Sequence, residues 1–285
     1  QLGILKNTSP AEGLLVYCSD CPTRGVVVFD GYDFTSLSDT KKILLSETVE
    51  SSTGKIWMDR NLGASQVATA SNDHLSYGNL YQWGRASDGH EIMAWTSATG
   101  SDGAEQAVGR ETSTQAAGSS PGHDDFIVGS DDWLVTQNDI LWQGANGVNN
   151  PCPQFFRVPT SAELAAEISS WGAAGNANTT DAMNSPLKLP AAGYRNPDIG
   201  ELVSVGVYGL YWTSTVSGIN SIRFYMKEDS SNLHPIRRAV GKSVRCIKDY
   251  EEQTVTTNTG KVWMDRNLGA SQVATASNDI LSYGD

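Results

Sequence analysis

Cysteine, histidine and paired carboxylates are the residues of this chain that could do redox, metal or acid–base chemistry, and their spacing limits what that chemistry is. Cys18-Ser-Asp-Cys21 is a lone CxxC. A zinc site needs two more ligands, and the sequence offers no second CxxC and no HxxxH. Thioredoxin-like chemistry wants the motif after a strand and opening a helix, which the following Pro22 does not provide. A local disulfide across a turn is the plainer reading. Cys152 and Cys246 complete an even count, which in a secreted chain reads as a disulfide framework, with two buried free thiols as the alternative. The histidines, at 74, 90, 123 and 234, are scattered. No GxSxG, HExxH or P-loop pattern occurs, so no catalytic residue is assigned and an enzyme is not expected.

Two further groups bear on binding. Asp124-Asp125 and Asp131-Asp132 are acidic pairs in a polar stretch. Hard cations take clustered carboxylates, so Asp131 and Asp132 are the candidate metal ligands and Ca²⁺ the candidate ion; solvated acidic loops are the alternative. Val216–Arg238 combines Arg223, Tyr225, Lys227, Asn232, His234 and Arg237. Tyrosine and arginine combine contact area with directed hydrogen bonds, which makes this stretch the candidate binding face. The competing reading is an exposed strand face that these residues merely solvate.

These groups need elements to hold them. In Ser221–Lys227, Ile222, Phe224 and Met226 alternate with Arg223, Tyr225 and Lys227, which predicts a strand with one core face and one open face. Further short strands are predicted at 55–58, 187–189, 202–207, 210–215 and 242–248. Thr160-Ser-Ala-Glu163 is a capping box. Leu164, Ile168 and Trp171 follow as one buried stripe, and Gly172 ends the helix. Residues 84–129 read as surface loops. Residues 1–43 read as a β-hairpin connector or assembly segment: Leu14–Tyr17 and Val26–Phe29 are its strands, and Asp30-Gly31 makes a further turn. The eight tryptophans read mostly as core, with Trp95 the candidate for stacking on a sugar.

An internal repeat dominates the organisation. Thr53–Gly78 and Thr259–Gly284 differ only at Ile56 against Val262 and His74 against Ile280. A histidine that exchanges with isoleucine reads as half-buried packing rather than as a ligand. The period is that of a whole module, not of a solenoid. Three domains follow: a hairpin segment at 1–43, a module at 44–249, and the start of a second copy at 250–285. A fragment that short cannot bury a core of its own. Either the array continues, or the fragment docks on a neighbouring copy and links chains head to tail, or it folds back on its own module. The chain begins at Gln1 rather than Met, as expected of a processed chain or a piece of a longer one.

Composition excludes several partners. The formal net charge is −12, which argues against nucleic acid or an anionic membrane as the main partner. No apolar run is long enough to span a bilayer, so no transmembrane segment is expected.

Trp57-Met-Asp-Arg-Asn-Leu62, Tyr77-Gly-Asn-Leu-Tyr-Gln-Trp-Gly84, Leu141-Trp-Gln-Gly144, Asn150-Pro-Cys-Pro153, Arg157-Val-Pro-Thr160, Leu187–Asn196, Tyr211–Thr215 and Ser243–Asp249 occur in this order. Together they resemble the Fibrobacter succinogenes major paralogous domain, common in surface proteins of Bacteroidetes and Fibrobacteres. The resemblance covers nearly all of 44–249. It implies a C-type-lectin-like α+β module of the formylglycine-generating-enzyme type, with short twisted strands, one or two helices and long loops. It also implies a Cys152–Cys246 disulfide and a cell-surface or secreted location. Val216–Arg238 is the display surface of such lectin-like domains. Formylglycine-generating relatives work through a cysteine-bound copper. Here both module cysteines sit in structural motifs, which leaves no pair for that chemistry. The Glu-Pro-Asn and Trp-Asn-Asp calcium motifs of sugar-binding lectins are absent. The expected function is therefore structural or adhesive. The partner is a surface protein or glycan held on the binding face, or other copies of the chain in a fibre joined through the hairpin and the partial repeat.

Overall fold

The computed structural model describes residues 47–98, 110–153, 155–171 and 177–249 with their side chains. It also describes, as backbone, the strands at 15–18, 25–29, 34–36, 254–256 and 262–264. The chain divides into two compact units, Gln1–Thr48 and Val49–Asp285. In the first, β1 (Leu15–Cys18) pairs antiparallel with β2 (Gly25–Phe29), and β2 with β3 (Phe34–Ser36). The expected hairpin is present, with a third strand added. The Cys18–Cys21 disulfide and the helix stop at Gly172 lie outside the described residues.

The second unit is mixed α+β, built mostly of strands. One sheet has the order β4 (Thr48–Glu50), β5 (Ile56–Met58), β14 (Ile247–Lys248), β8 (Phe156–Arg157). Its centre pairs Ile247 with Trp57 on one side and Arg157 on the other. Cys152 and Cys246 form a disulfide beside it, joining the segment before the first helix to the last strand. A second sheet is a meander of β11 (Gly209–Ser217), β12 (Asn220–Lys227) and β13 (Ser230–Ile236). Two small pairs complete it: β6 (Glu111–Thr112) beside β7 (Phe126–Ile127), and β9 (Tyr194–Arg195) beside β10 (Leu202–Val203).

Helix α1 (Ser161–Trp171) starts as the capping box requires. Glu163 N–H donates to Thr160 Oγ1 at 3.2 Å, and Thr160 N–H donates to the Glu163 carboxylate at 2.8 Å. Leu164 and Ile168 are buried, and half-buried Trp171 packs on the same core. That core joins α1, α2 (Thr179–Asn184) and the inner face of the meander through Trp57, Leu187, Tyr211, Phe224, Met226 and Ile247. Glu167 is also buried there, taking hydrogen bonds from Ser51 and Thr53.

Four predicted strands need correction. Residues 187–189 are not a strand: Lys188 has φ +45, which breaks the extended run while Leu187 and Leu189 still point into the core. The strand predicted at 202–207 stops at Val203, because Ser204 has φ +57 and opens a turn. The one predicted at 242–248 shrinks to Ile247–Lys248, with isolated bridges at Lys242 and Ser243. In the meander strand, Ile222 is only half-buried, and Ser221, next to the bulge in β11, takes a buried place.

Indole groups hold the loops. Trp83 Nε1–H donates to the Thr213 carbonyl, Trp133 Nε1–H to Trp83, Trp142 Nε1–H to Arg85 and Trp212 Nε1–H to Tyr81, at 2.7–3.2 Å. Each ring buries apolar area and pairs a loop carbonyl that would otherwise be costly to desolvate. The same device fixes Trp95: its Nε1–H donates to Gly78 and its ring meets Tyr77 edge-on.

Acid should loosen the joint between β8 and α1. Arg157 bridges Glu163 and Asp249. Burial pushes the Glu163 carboxyl up, but hydrogen bonds from Arg157 and Thr160, with the Arg157 charge, outweigh it and hold the group below its ordinary 4.5. A depressed carboxylate stabilises the fold above the unfolded pKa, and that contribution is lost as pH falls through the folded value. Glu163→Gln should flatten the acid limb of a stability-versus-pH curve measured by urea unfolding between pH 3 and 6. An unchanged limb would show that this joint contributes nothing.

Candidate binding site

The outer face of the meander is set by strand register. Trp212 lies opposite Arg223 and Leu210 opposite Tyr225, while Arg223 lies opposite His234 and Tyr225 opposite Asn232. These side chains share one face, since alternate residues of a strand point the same way. The β11 end of that face is roofed by β9 and by the segment after β13. Between them lies a cavity of about 240 Å³, walled by Tyr194, Asn196, Tyr208, Leu210, Arg223, Tyr225, Ile236, Arg237, Val240 and Lys242.

Local structure fixes each wall. Gly193 donates its N–H to the Tyr208 carbonyl at 2.8 Å, so the turn opened by Ser204 brings Tyr208 beside Tyr194. Gly193 has φ +69, and a Cβ there would meet the Val203 carbonyl oxygen at 2.3 Å. The Lys242 backbone exchanges both hydrogen bonds with Tyr81, and Ser243 N–H donates to Leu210. At Gly241 a Cβ would lie 2.8 Å from the Arg195 Cβ, so glycine lets this segment close onto β9.

The electrostatics are those of a cationic pocket in an acidic chain. Arg223 lies over the Tyr225 ring, its Cζ 4.8 Å from the ring centroid, and donates to Asn232 at 3.3 Å. Burial holds its guanidinium below the ordinary arginine range. Tyr208 and Tyr225 meet edge to face at 5.2 Å. Arg237 is held bidentate by Asp198 at 2.8 and 2.9 Å, with Asp131 at 3.4 Å. Lys242 is 1% exposed. Its Nζ sits 4.4 Å from the Trp212 ring centroid and 5.9 Å from that of Tyr194. Burial first, then the charges of Arg223 and Arg237, push its amine well below the ordinary lysine range.

Three of the six predicted face residues, Arg223, Tyr225 and Arg237, line this cavity. The other three do not. Lys227 pairs with Asp229 at 2.9 Å, Asn232 is exposed and accepts from Arg223, and exposed His234 is hydrogen-bonded through Nδ1 to the Pro235 carbonyl. Lys242, Tyr194, Tyr208 and Asn196 escaped the sequence reading. The available signal was a lysine inside Ala239-Val-Gly-Lys-Ser-Val244, where a charge interrupts a small and apolar run.

The two members of the second acidic pair behave differently. Asp131 is exposed and leans on Arg237, whereas Asp132 is half-buried and accepts from Leu134 N–H through one oxygen. Burial raises the Asp132 carboxyl. Among the described residues, the group spaced to hold a metal is instead Asp88, His90 and Glu91. Its members are already engaged. His90 Nε2 accepts the Gln82 backbone N–H at 3.1 Å, so Nδ1 carries the proton and donates to Asp88 at 2.6 Å. Asp88 also takes Arg85 Nε–H, and Glu91 takes Gly89 N–H. His74, the residue exchanged for isoleucine in the repeat, is half-buried.

A second hollow, of about 270 Å³, lies between Ala68–Ser71 and α2. Its wall is mainly methyl and hydroxyl groups, with Lys188 the one charge among the lining residues.

Comparison with protein-family models, curated proteins and solved structures finds no match to this chain. Among the described residues, no helix is long and apolar enough to cross a membrane.

Proposed function

We propose that this chain is a non-catalytic extracellular module of a surface protein, lectin-like in fold, that binds a small ligand group on the outer face of its meander. The observation that carries the reading is the cavity in which Arg223, Tyr225 and Arg237 converge with Tyr194, Tyr208 and Lys242. Convergent tyrosine and arginine on a rigid strand floor are the chemistry of recognition. The Cys152–Cys246 disulfide supports an oxidising, extracellular setting. The motifs shared with the paralogous surface domain support the fold and location. In a glycan-array or cell-surface binding assay, Arg223→Ala and Tyr225→Ala should each weaken binding about tenfold, a loss of roughly 1.4 kcal/mol. Binding that survives both substitutions would remove this face from consideration.

A second reading, a subunit of an extracellular fibre, has its own support. β15 (Thr254–Thr256) and β16 (Val262–Met264) pair as a hairpin. They fall at the positions of β4 and β5 shifted by one repeat, 48 onto 254 and 58 onto 264. Within the module that hairpin is completed by β14. In the module β14 already has β5 and β8 on its two sides, so a second hairpin of similar sequence would add to a free sheet edge of another copy, such as β8. Light scattering on the chain with and without residues 250–285 tests this: assembly that grows with concentration and vanishes on truncation supports the fibre, and two monomers refute it.

A further inference from the structure

We infer that the cavity between β12 and the 240–242 segment takes a carboxylate-bearing sugar unit, with Lys242 at its floor as the counter-ion. The inference rests on the cavity being the binding site and adds the class of ligand. Three basic side chains line the cavity, and no carboxylate is among the lining residues, in a chain whose formal net charge is −12. Arg237 is already neutralised by Asp198 and Asp131. Among the described residues, the partners of Arg223 are the neutral Asn232 amide and the Tyr225 ring. Lys242 is buried, and two aromatic rings are the contacts of its Nζ among the described residues. An ammonium in that place is costly, so the amine is held neutral until something supplies a charge partner. A carboxylate entering the cavity would supply it to Lys242 and Arg223 together.

The walls define the rest of the ligand. Tyr194, Tyr208 and Tyr225 contribute aromatic rings bearing hydroxyls to the lining, and Asn196 contributes an amide. Such walls suit a body that is apolar on its faces and hydroxylated at its edge, as a pyranose is. The volume of about 240 Å³ falls below the range of roughly 300–1,000 Å³ usual for drug-sized ligands, which favours a single ring.

Binding should then carry a proton. The titratable and charged groups that line the cavity with Lys242 are Tyr194 on β9, Tyr208 before β11, Arg223 and Tyr225 on β12, and Arg237 with its partners Asp198 and Asp131. Burial, then the two arginines, favour the neutral amine in the free protein, and a bound carboxylate favours the ammonium. Affinity is therefore fullest below the free-state pKa of Lys242 and falls as pH rises through the bound-state value.

The experiment is calorimetric titration of the whole chain with methyl glucuronide, with methyl glucoside and acetate as controls, in buffers of different ionisation enthalpy. Heteronuclear shifts of the tyrosine rings are followed in parallel. The glucuronide should bind at least tenfold tighter than either control, with net proton uptake. Lys242→Met should lose at least tenfold and abolish the uptake, while its melting temperature holds or rises because a buried amine is gone. Arg223→Gln, at a half-buried position, should cost threefold or more, and it decides the matter if Lys242→Met does not fold. Glucoside binding as tight as glucuronide, with the same tyrosine shifts, would overturn the anionic ligand and leave the cavity as a binding site. If all three compounds leave the tyrosine shifts unmoved, the inference falls. If, in addition, the Arg223→Ala and Tyr225→Ala variants bind surfaces normally, the reading of the cavity falls with it.

Discussion

Replacing Cys152 and Cys246 together with serine lowers the melting temperature by on the order of 10 °C. The bond closes a loop of 94 residues. Cross-linking that much chain removes unfolded-state entropy worth close to 5 kcal/mol in the loop-closure account, and removals from natural proteins cost roughly 2–5 kcal/mol. The loop is not slack. It contains α1, α2 and the whole meander, so the unfolded chain regains freedom between the two segments that frame the β4–β5–β14–β8 sheet. Each kcal/mol is worth about 2–4 °C in a domain of this size. Thermal unfolding of the double variant is the measurement, and it leaves Cys18 and Cys21 untouched where a reductant would not. A shift within about 2 °C would mean that the sheet and the tryptophan cage hold these ends without the bond.

Arg245→Ala should be strongly destabilising, by roughly 3–5 kcal/mol. Arg245 is 1% exposed and, among the described residues, has no carboxylate partner. Its Nε–H and Nη2–H donate to Asn61 Oδ1, and Nη1–H donates to the Leu187 carbonyl at 2.5 Å and to Met58 at 3.4 Å. Burial pushes the guanidinium down to about 10, so it stays charged at neutral pH and is solvated by these oxygens instead of water. Truncation would orphan three acceptors and leave a void, two separate penalties. Arg245→Lys keeps the charge but loses the planar fork, and should recover only part of the loss. Chemical unfolding of both variants tests the claim. Equal stability of wild type and Arg245→Ala would show that water replaces the guanidinium at no cost.

Arg245 also explains the repeat. Asn61, its acceptor, lies in the repeated segment and further donates to Tyr77 and Tyr211. Trp57 is core, and Gly78 has φ +69, where a Cβ would meet the Leu62 carbonyl oxygen at 2.5 Å. The identical positions thus include scaffold residues, together with exposed ones such as Thr69, Asn72 and Leu75, and the residues lining the cavity lie outside the repeat. Of the two differing positions, Ile56 and His74 are both half-buried, where a change of side chain is tolerated.

The sequence by itself determined the local elements and the face. The capping box, the alternation in β12 and the two hairpin runs each depend on neighbours in the chain, so periodicity and turn chemistry reveal them. Three of the residues that line the cavity were legible too, because Arg223 and Tyr225 share a strand face and Arg237 directly follows the next strand. Tertiary structure alone decided which side chains complete the site. Lys242, Tyr194 and Tyr208 come from separate segments joined by Lys242–Tyr81 and Gly193–Tyr208 hydrogen bonds, and such long-range pairings have no signature in local spacing. Only tertiary structure, too, decided that His90, Asp88 and Glu91 satisfy one another and that Arg245 and Lys242 are buried. Whether a charge is a solvated side chain, a structural clasp or the floor of a binding site depends on which backbone oxygens and rings surround it.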